Sequence, residues 1–232
     1  MTKPVNMSKK NISSVHSLLP VQDPVIYVPL TSAESFEAAQ IYTDIFLADE
    51  PTTIRHGPDS SFFLPYAEMY VQFVARKNVS FIARDKKTSE IIGFIFCLDF
   101  TSDIRNEGEQ MEQFLNHFKA TVAMMDELED QFLNHDKIVT GSMLHVFQIG
   151  VDKRYRKLGI AKALINQVLS QAHERGFTHV IADCTSLGSQ KSFESCGFEM
   201  AGKIPYDSFC MDGVRFFDGL DGGISLMVRN LV

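Results

Sequence analysis

Apolar residues recur along this chain with two periods, and the change from one to the other marks its central unit. Residues 143–151 (MLHVFQIGV) form a strand-like run, and beyond Gly159 the positions Ile160, Ala161, Leu164, Ile165, Val168, Leu169 and Ala172 keep a period of about 3.6, the spacing of one helix face. Residues 179–184 (HVIADC) then read as a strand buried on both faces. Strand, helix and strand in this order predict a βαβ unit over 143–184.

The flanking pattern fills in a mixed α/β (α+β) chain. A strand over 25–30 precedes a helix over 33–48, with Thr31 and Glu34 at capping-box spacing. That helix stops before Pro51, because a residue preceding proline is pushed out of the helical region. An aromatic helix over 61–76, carrying Phe62, Phe63, Tyr66, Tyr70 and Phe73, leads to strands over 79–83 and 90–99 around a turn at 85–87. Residues 107–134 are amphipathic and long enough for two helices broken near 119–123, a natural pocket wall. A short helix over 189–195 ends at Gly197, a strand follows over 198–204, an Asp212-Gly213 hairpin is expected within 209–217, and residues 224–230 close the chain.

Composition narrows the class. With 232 residues, 45% apolar and 22% charged, the chain reads as one globular domain over 25–232 with a flexible tail over 1–24 and a helical insertion over 107–134. A formal net charge of −7 disfavours nucleic-acid binding and suits a cationic substrate. Four cysteines without CxxC spacing favour a reducing, cytoplasmic setting and no metal centre. No segment approaches the roughly 18 apolar residues of a membrane span, and the first residues lack the apolar core of a signal peptide. Oligomeric state is not legible.

Against this acidic background, residues 151–163 carry Lys153, Arg154, Arg156, Lys157 and Lys162 beside one acid, Asp152. A basic, glycine-containing loop from a strand into a helix offers unpaired backbone N–H groups and the positive end of the helix dipole, which is an anion site. The nucleotide patterns GxxxxGK[ST] and GxGxxG are both absent. Residues 156–161 read RKLGIA and fit [RQ]xxGx[GA].

That loop, following a strand that ends in Val151 and Asp152, resembles the acetyl-CoA loop of the GCN5-related N-acetyltransferase (GNAT) superfamily. Four more features resemble the arylalkylamine (dopamine-type) N-acetyltransferases of insects and nematodes: DEP at 49–51, MDELEDQF at 125–132, CTSxxS at 184–189 leading to Gly197-Phe198, and IPYDSF at 204–209. The resemblance implies a mixed sheet splayed near its middle. It implies acetyl-CoA as co-substrate, with Ile149, Gly150 and Val151 on the pantetheine arm, through the amides of Ile149 and Val151, and Arg156, Lys157, Leu158, Gly159, Ile160 and Ala161 around the pyrophosphate. It implies Glu50 as the base acting through a water, and Ser189 and Thr185 as the hydroxyl pair that delivers a proton to sulfur and shapes the site, with Ser189 also touching the donor.

The implied reaction is direct attack of a small arylalkylamine on the thioester in a ternary complex. Phe46, Phe63, Tyr66 and Tyr206 are the expected substrate wall. Three departures stand out: Lys157 where such loops often carry glycine, Thr185 where serine is common, and Phe193 where many relatives place a tyrosine acid. His145 lies on the central strand, where a single histidine reads as structural. Acetylation of polyamines or of a protein amine is the alternative within catalysis; it requires acids converging on one cleft, and along the sequence the acids look dispersed. A non-catalytic acetyl-CoA sensor is the alternative outside catalysis.

Overall fold

The β-branched and aromatic runs become strands β1 (Val25–Pro29), β2 (Phe81–Asp85), β3 (Ile91–Asp99), β4 (Met143–Val151), β5 (His179–Cys184), β6 (Glu199–Pro205) and β7 (Gly223–Asn230) in the computed structural model, which describes residues 24–105 and 107–232. The tail expected over 1–24 therefore lies, apart from Pro24, outside the described residues. The strands form one sheet in the order β1-β2-β3-β4-β5-β7-β6, antiparallel throughout except for the parallel pair β4–β5. Helices α1 (Ser35–Asp49), α2 (Pro51–His56), α3 (Ser60–Ala75), α4 (Glu109–His117), α5 (Lys119–Phe132), α6 (Ile160–Glu174) and α7 (Leu187–Glu194) cover it. This is the mixed α/β fold with a splayed sheet that the motifs imply.

Helices on both faces explain why β3 is apolar at nearly every position. Ile92, Ile95 and Cys97 pack in one core with Ile160, Leu164, Ile165 and Val168 of α6. Phe94, Phe96 and Leu98 pack in a second core with Tyr42 of α1 and Phe63, Tyr66 and Tyr70 of α3. A third core joins Met124 and Leu128 of α5 to Ile204, Tyr206, Phe209 and Phe217.

The feature that makes the site is the splay. Strands β4 and β5 pair only where Met143–Val146 meets His179–Ala182. At that point the β3–β4 register shifts, with Cys97 opposite Val146 and Phe96 opposite Gln148, so Phe147 bulges out of the ladder. A bulge bends its strand and sharpens its twist, and beyond it residues 147–151 have no partner on the β5 side.

Some expected boundaries moved. The break in the helical insertion falls at Phe118 (φ −94°, ψ 17°), just before the expected window. The last short helix begins at Leu187, capped by Ser186 rather than by Ser189. The hairpin expected within 209–217 reduces to a single bridge, Met211 to Val214, around Asp212 and Gly213 at positive φ. Its aromatic ends, Phe209 and Phe217, are buried in the third core, so these residues fold inward instead of extending as a ladder.

Candidate active site

The split between β4 and β5 opens into one cleft of about 1220 Å³, lined by the end of β4, the 155–162 loop, the start of α7, the α1–α2 junction, α3, and α4–α5. The side formed by the end of β4 and the 155–162 loop is made mainly of backbone. The amide of Asp152 donates to the carbonyl of Ile92 at 2.9 Å, which makes that pair, and by alternation Phe94–Gly150, the hydrogen-bonded pairs of the β3–β4 ladder. Val151 and Ile149 consequently turn their N–H and C=O groups away from β3, toward the gap left by β5. The Val151 carbonyl confirms that direction by accepting from Arg156 Nε at 3.0 Å. Gly150 faces the other way: its backbone is spent in the ladder, and a Cβ there would lie 2.6 Å from the Phe94 ring. It is required for packing, and its amide does not reach the gap.

The loop then runs through two left-handed residues, Lys157 (φ 65°) and Gly159 (φ 81°), into α6. The first bond inside that helix is donated by Ala163 to Gly159, so the amides of Ile160, Ala161 and Lys162 emerge at the N-terminus without a helical acceptor. Lys157 holds a conformation that costs an L-residue about 1 kcal/mol or more, and this is why glycine suits the position. Leu158 is largely exposed on the loop's outer side. Arg156, expected to meet the donor, lines the cleft, with Nη2 on Asp49 Oδ2 at 2.6 Å and Nε on the Val151 carbonyl. It ties the loop to the end of α1. Amides opposite a strand gap, a turn that keeps side chains out, and a helix N-terminus fit an extended thioester donor with a diphosphate.

Across the cleft, the proline after Glu50 that ends α1 also starts α2. Glu50 becomes the N-cap of α2, accepting from Thr52 N at 3.1 Å, Thr52 Oγ1 at 2.9 Å and Thr53 N at 2.5 Å. Three donors fix the carboxylate at the cleft edge. Phe46, Phe63 and Tyr66 line the cleft as expected, and Tyr66 stacks on Phe114 of α4 with centroids 3.5 Å apart. Tyr206, also expected at that wall, is instead fully buried in the third core; its hydroxyl donates to the Thr185 carbonyl at 2.7 Å and so supports the site from behind.

Thr185 and Ser189 both line the cleft where β5 passes into α7. Ser186 Oγ accepts from the Ser189 amide at 3.1 Å and Ser189 Oγ accepts from the Ser186 amide at 3.4 Å, which closes a capping box, and the Ser189 hydroxyl donates to the Ser186 carbonyl at 2.8 Å. Phe193 is buried and offers no acid. Beneath them burial pushes the Cys184 thiol up to about 12, which leaves it inert.

The residues missed from sequence lie deeper. His145 Nε2 is 2.8 Å from Asp183 Oδ2, its Nδ1 is 3.8 Å from Glu129 Oε1, and all three line the cleft. Burial pulls the imidazole down, but the two carboxylates outweigh it and hold His145 above its usual value. Burial pushes Glu129 up to about 8 against the pull of His145. No metal was expected, yet the ligand atoms of this trio lie within 4.8 Å of one another, a spacing that could hold an ion. The available signal was Asp183, a lone carboxylate inside a strand buried on both faces. The acids that look dispersed along the chain converge here: Glu50, Asp126, Glu129, Asp130 and Asp183 share one cleft.

Over 70 residues the chain is 34% identical to human N-acetyltransferase 8, an alignment that spans 29% of this chain and 31% of that protein, so it covers under a third of the relative's length. The fold superposes on arylalkylamine N-acetyltransferase 2 from Aedes aegypti with a TM-score of 0.71 and 23% identity, covering 90% of this chain and 100% of that one. It also superposes on a polyamine N-acetyltransferase from Drosophila melanogaster with a TM-score of 0.69 and 16% identity, covering 89% and 100%. The model of the acetyltransferase (GNAT) family matches residues 42–198, more than half of the chain, and the chain belongs to that family.

Proposed function

We propose that the protein transfers the acetyl group of acetyl-CoA, the co-substrate of its family, to a small primary amine carried on an arylalkyl body. The observation that carries this reading is the convergence on one cleft of the outward-turned amides of Ile149 and Val151 with the fixed carboxylate of Glu50. Bound there, acetyl-CoA supplies an activated acyl carbon. Ile149 and Val151 hold the donor's extended arm, and the amides from Lys157 to Ala161 meet its diphosphate. An amine with a pKa near that of lysine, about 10.4, arrives protonated at neutral pH, and freeing its lone pair costs about 4 to 5 kcal/mol. Glu50 takes that proton through a water. The amide of Ile149 stabilises charge developing on the thioester oxygen. Thr185 shapes the pocket, and Ser189 passes a proton toward the departing sulfur from its place in the capping box.

Phe46, Phe63, Tyr66 and Phe114 form an apolar wall that suits an arylalkyl body. All four cysteines are free, and among the described residues no helix is long and apolar enough to cross a membrane; a reducing, cytoplasmic setting accords with the free thiols. The test is CoA release from acetyl-CoA with a panel of tyramine, dopamine, tryptamine, spermidine and a lysine peptide. Release with the small amines and not with the peptide is expected. Acetyl-CoA binding without release for any amine would favour a sensor instead.

A further inference from the structure

His56 lies behind the cleft lining and takes no part in the chemistry just described, yet it joins two elements that meet in that cleft. It is the last residue of α2, the helix whose N-cap is Glu50. Its Nε2 is 2.9 Å from the Thr121 hydroxyl in the first turn of α5, and its ring packs on Phe118 with centroids 4.7 Å apart. Phe118 is the residue at which the insertion breaks into α4 and α5. Burial and the neighbouring His117 lower the imidazole to about 4, against a hydrogen bond to the His117 backbone that raises it, so the ring is neutral at pH 7. A neutral imidazole carries one donor and one acceptor. A phenyl ring would fill the same aromatic surroundings without them, and a half-buried imidazole is costly unless its polar atoms are matched. The partners that match them stand at the break.

The other end of the connection is the base. Six residues make fewer than two helical turns, so α2 moves as one body and a shift of its C-terminus shifts the Glu50 carboxylate. Arg55 holds the same end from another direction, its Nε donating to the Phe216 carbonyl. Beyond the break, Phe118 and Thr121 line the cleft, and Phe118 stacks on Phe114, which stacks on Tyr66. Resting on the acetyltransferase reading above, we propose that His56 is a positioning residue: by tying the end of α2 to the α4–α5 break, it fixes the spacing between Glu50 and the aromatic wall and so favours amines whose body reaches that wall.

The test compares kcat/KM for tryptamine with that for propylamine in the natural chain and in His56→Ala, His56→Gln, Thr121→Val and the double variant His56→Ala/Thr121→Val. Only the aryl body reaches the wall, so the tryptamine-to-propylamine ratio reads the spacing, whereas partial misfolding or weaker acetyl-CoA binding cancels in it. The ratio is expected to fall about 3- to 10-fold in His56→Ala, the range for one neutral hydrogen bond. Thr121→Val should lose as much, and the double variant no more, because both changes remove one connection. His56→Gln, whose amide can bond the Thr121 hydroxyl, should restore most of the ratio. Thr121→Val keeps the side chain's shape and reads the connection even where His56→Ala does not fold. A ratio unchanged in the single variants, whatever their Tm, makes His56 a packing residue; losses that add in the double variant mean that the two side chains act separately. Either result overturns the proposal and leaves the acetyltransferase reading standing. Failure of the natural chain to acetylate either amine overturns both.

Discussion

The two sides of the cleft are built from different materials. On the reading proposed above, the donor side is backbone: strand amides exposed by a splay and loop amides at a helix start, all within residues 149–161. The acceptor side is side chains gathered from α1, α3, α4, α5, β4 and β5. Backbone recognition depends on conformation and tolerates changes of side chain, so a contiguous loop can serve one invariant donor. Side-chain recognition depends on identity and on distant elements meeting, which lets the same fold take different amines.

This contrast can be broken first at Glu50. Replacing it with Gln should lower kcat/KM by about 100-fold or more, the lower end for loss of a general base, in initial-rate CoA release, with the KM for acetyl-CoA little changed. Since Gln still offers an oxygen to the Thr52 and Thr53 amides, a comparable loss in thermal stability would instead mark Glu50 as a structural cap.

Gly159→Ala probes the opposite side. Nothing lies within 4 Å of the added Cβ, so its effect comes from φ of 81° alone. A left-handed alanine costs about 1 to 2 kcal/mol, and the KM for acetyl-CoA should rise about tenfold by that cost, while the KM for amine at saturating donor stays the same. A shift in the amine KM would show that the two sides are not separable.

The acidic pit of Glu129, His145 and Asp183 gives the acceptor side a pH signature. Between the ordinary carboxylate value of 4.5 and about 8, folded Glu129 keeps a proton that the unfolded chain has released, so its contribution to stability falls as pH rises through that window. His145 acts with the same sign, because a raised imidazole stabilises the fold below its usual value of 6.5 and loses that contribution as pH rises through its folded value. Thermal melts should therefore show Tm falling between about pH 5 and about pH 8, and Glu129→Gln should flatten the fall. A Tm independent of pH in the natural chain would remove the ground for treating the pit as charged.

The smallest effect expected is at Lys157. Relieving its positive φ with Lys157→Gly should stabilise the fold by up to about 1 kcal/mol, or roughly 2 to 4 °C in Tm for a chain of this size. Unchanged or lower stability would mean that the lysine side chain holds the loop.

The same contrast explains what could be read from the sequence. Met143–Val151, Ile160–Glu174 and the loop between them are contiguous, and periodicity with one short pattern placed them almost to the residue. The place of Glu50 at a helix exit was legible because Pro51 ends α1 there, although not its part as the cap of a second helix. Tyr206 misled because an aromatic residue near a motif fits a core as well as a wall. The Glu129–His145–Asp183 pit joins residues from α5, β4 and β5 that only the sheet order brings together, and no local period marks such a meeting. The Arg156–Asp49 pair joins residues 107 positions apart, which no local pattern marks.

Residue-resolved amide hydrogen exchange, with and without acetyl-CoA, tests the backbone cradle most directly. The amides of Ile149, Val151 and Lys157 through Ala161 should gain protection when acetyl-CoA is added and none when an amine is added alone. Exchange at these amides left unchanged by saturating acetyl-CoA would contradict the account.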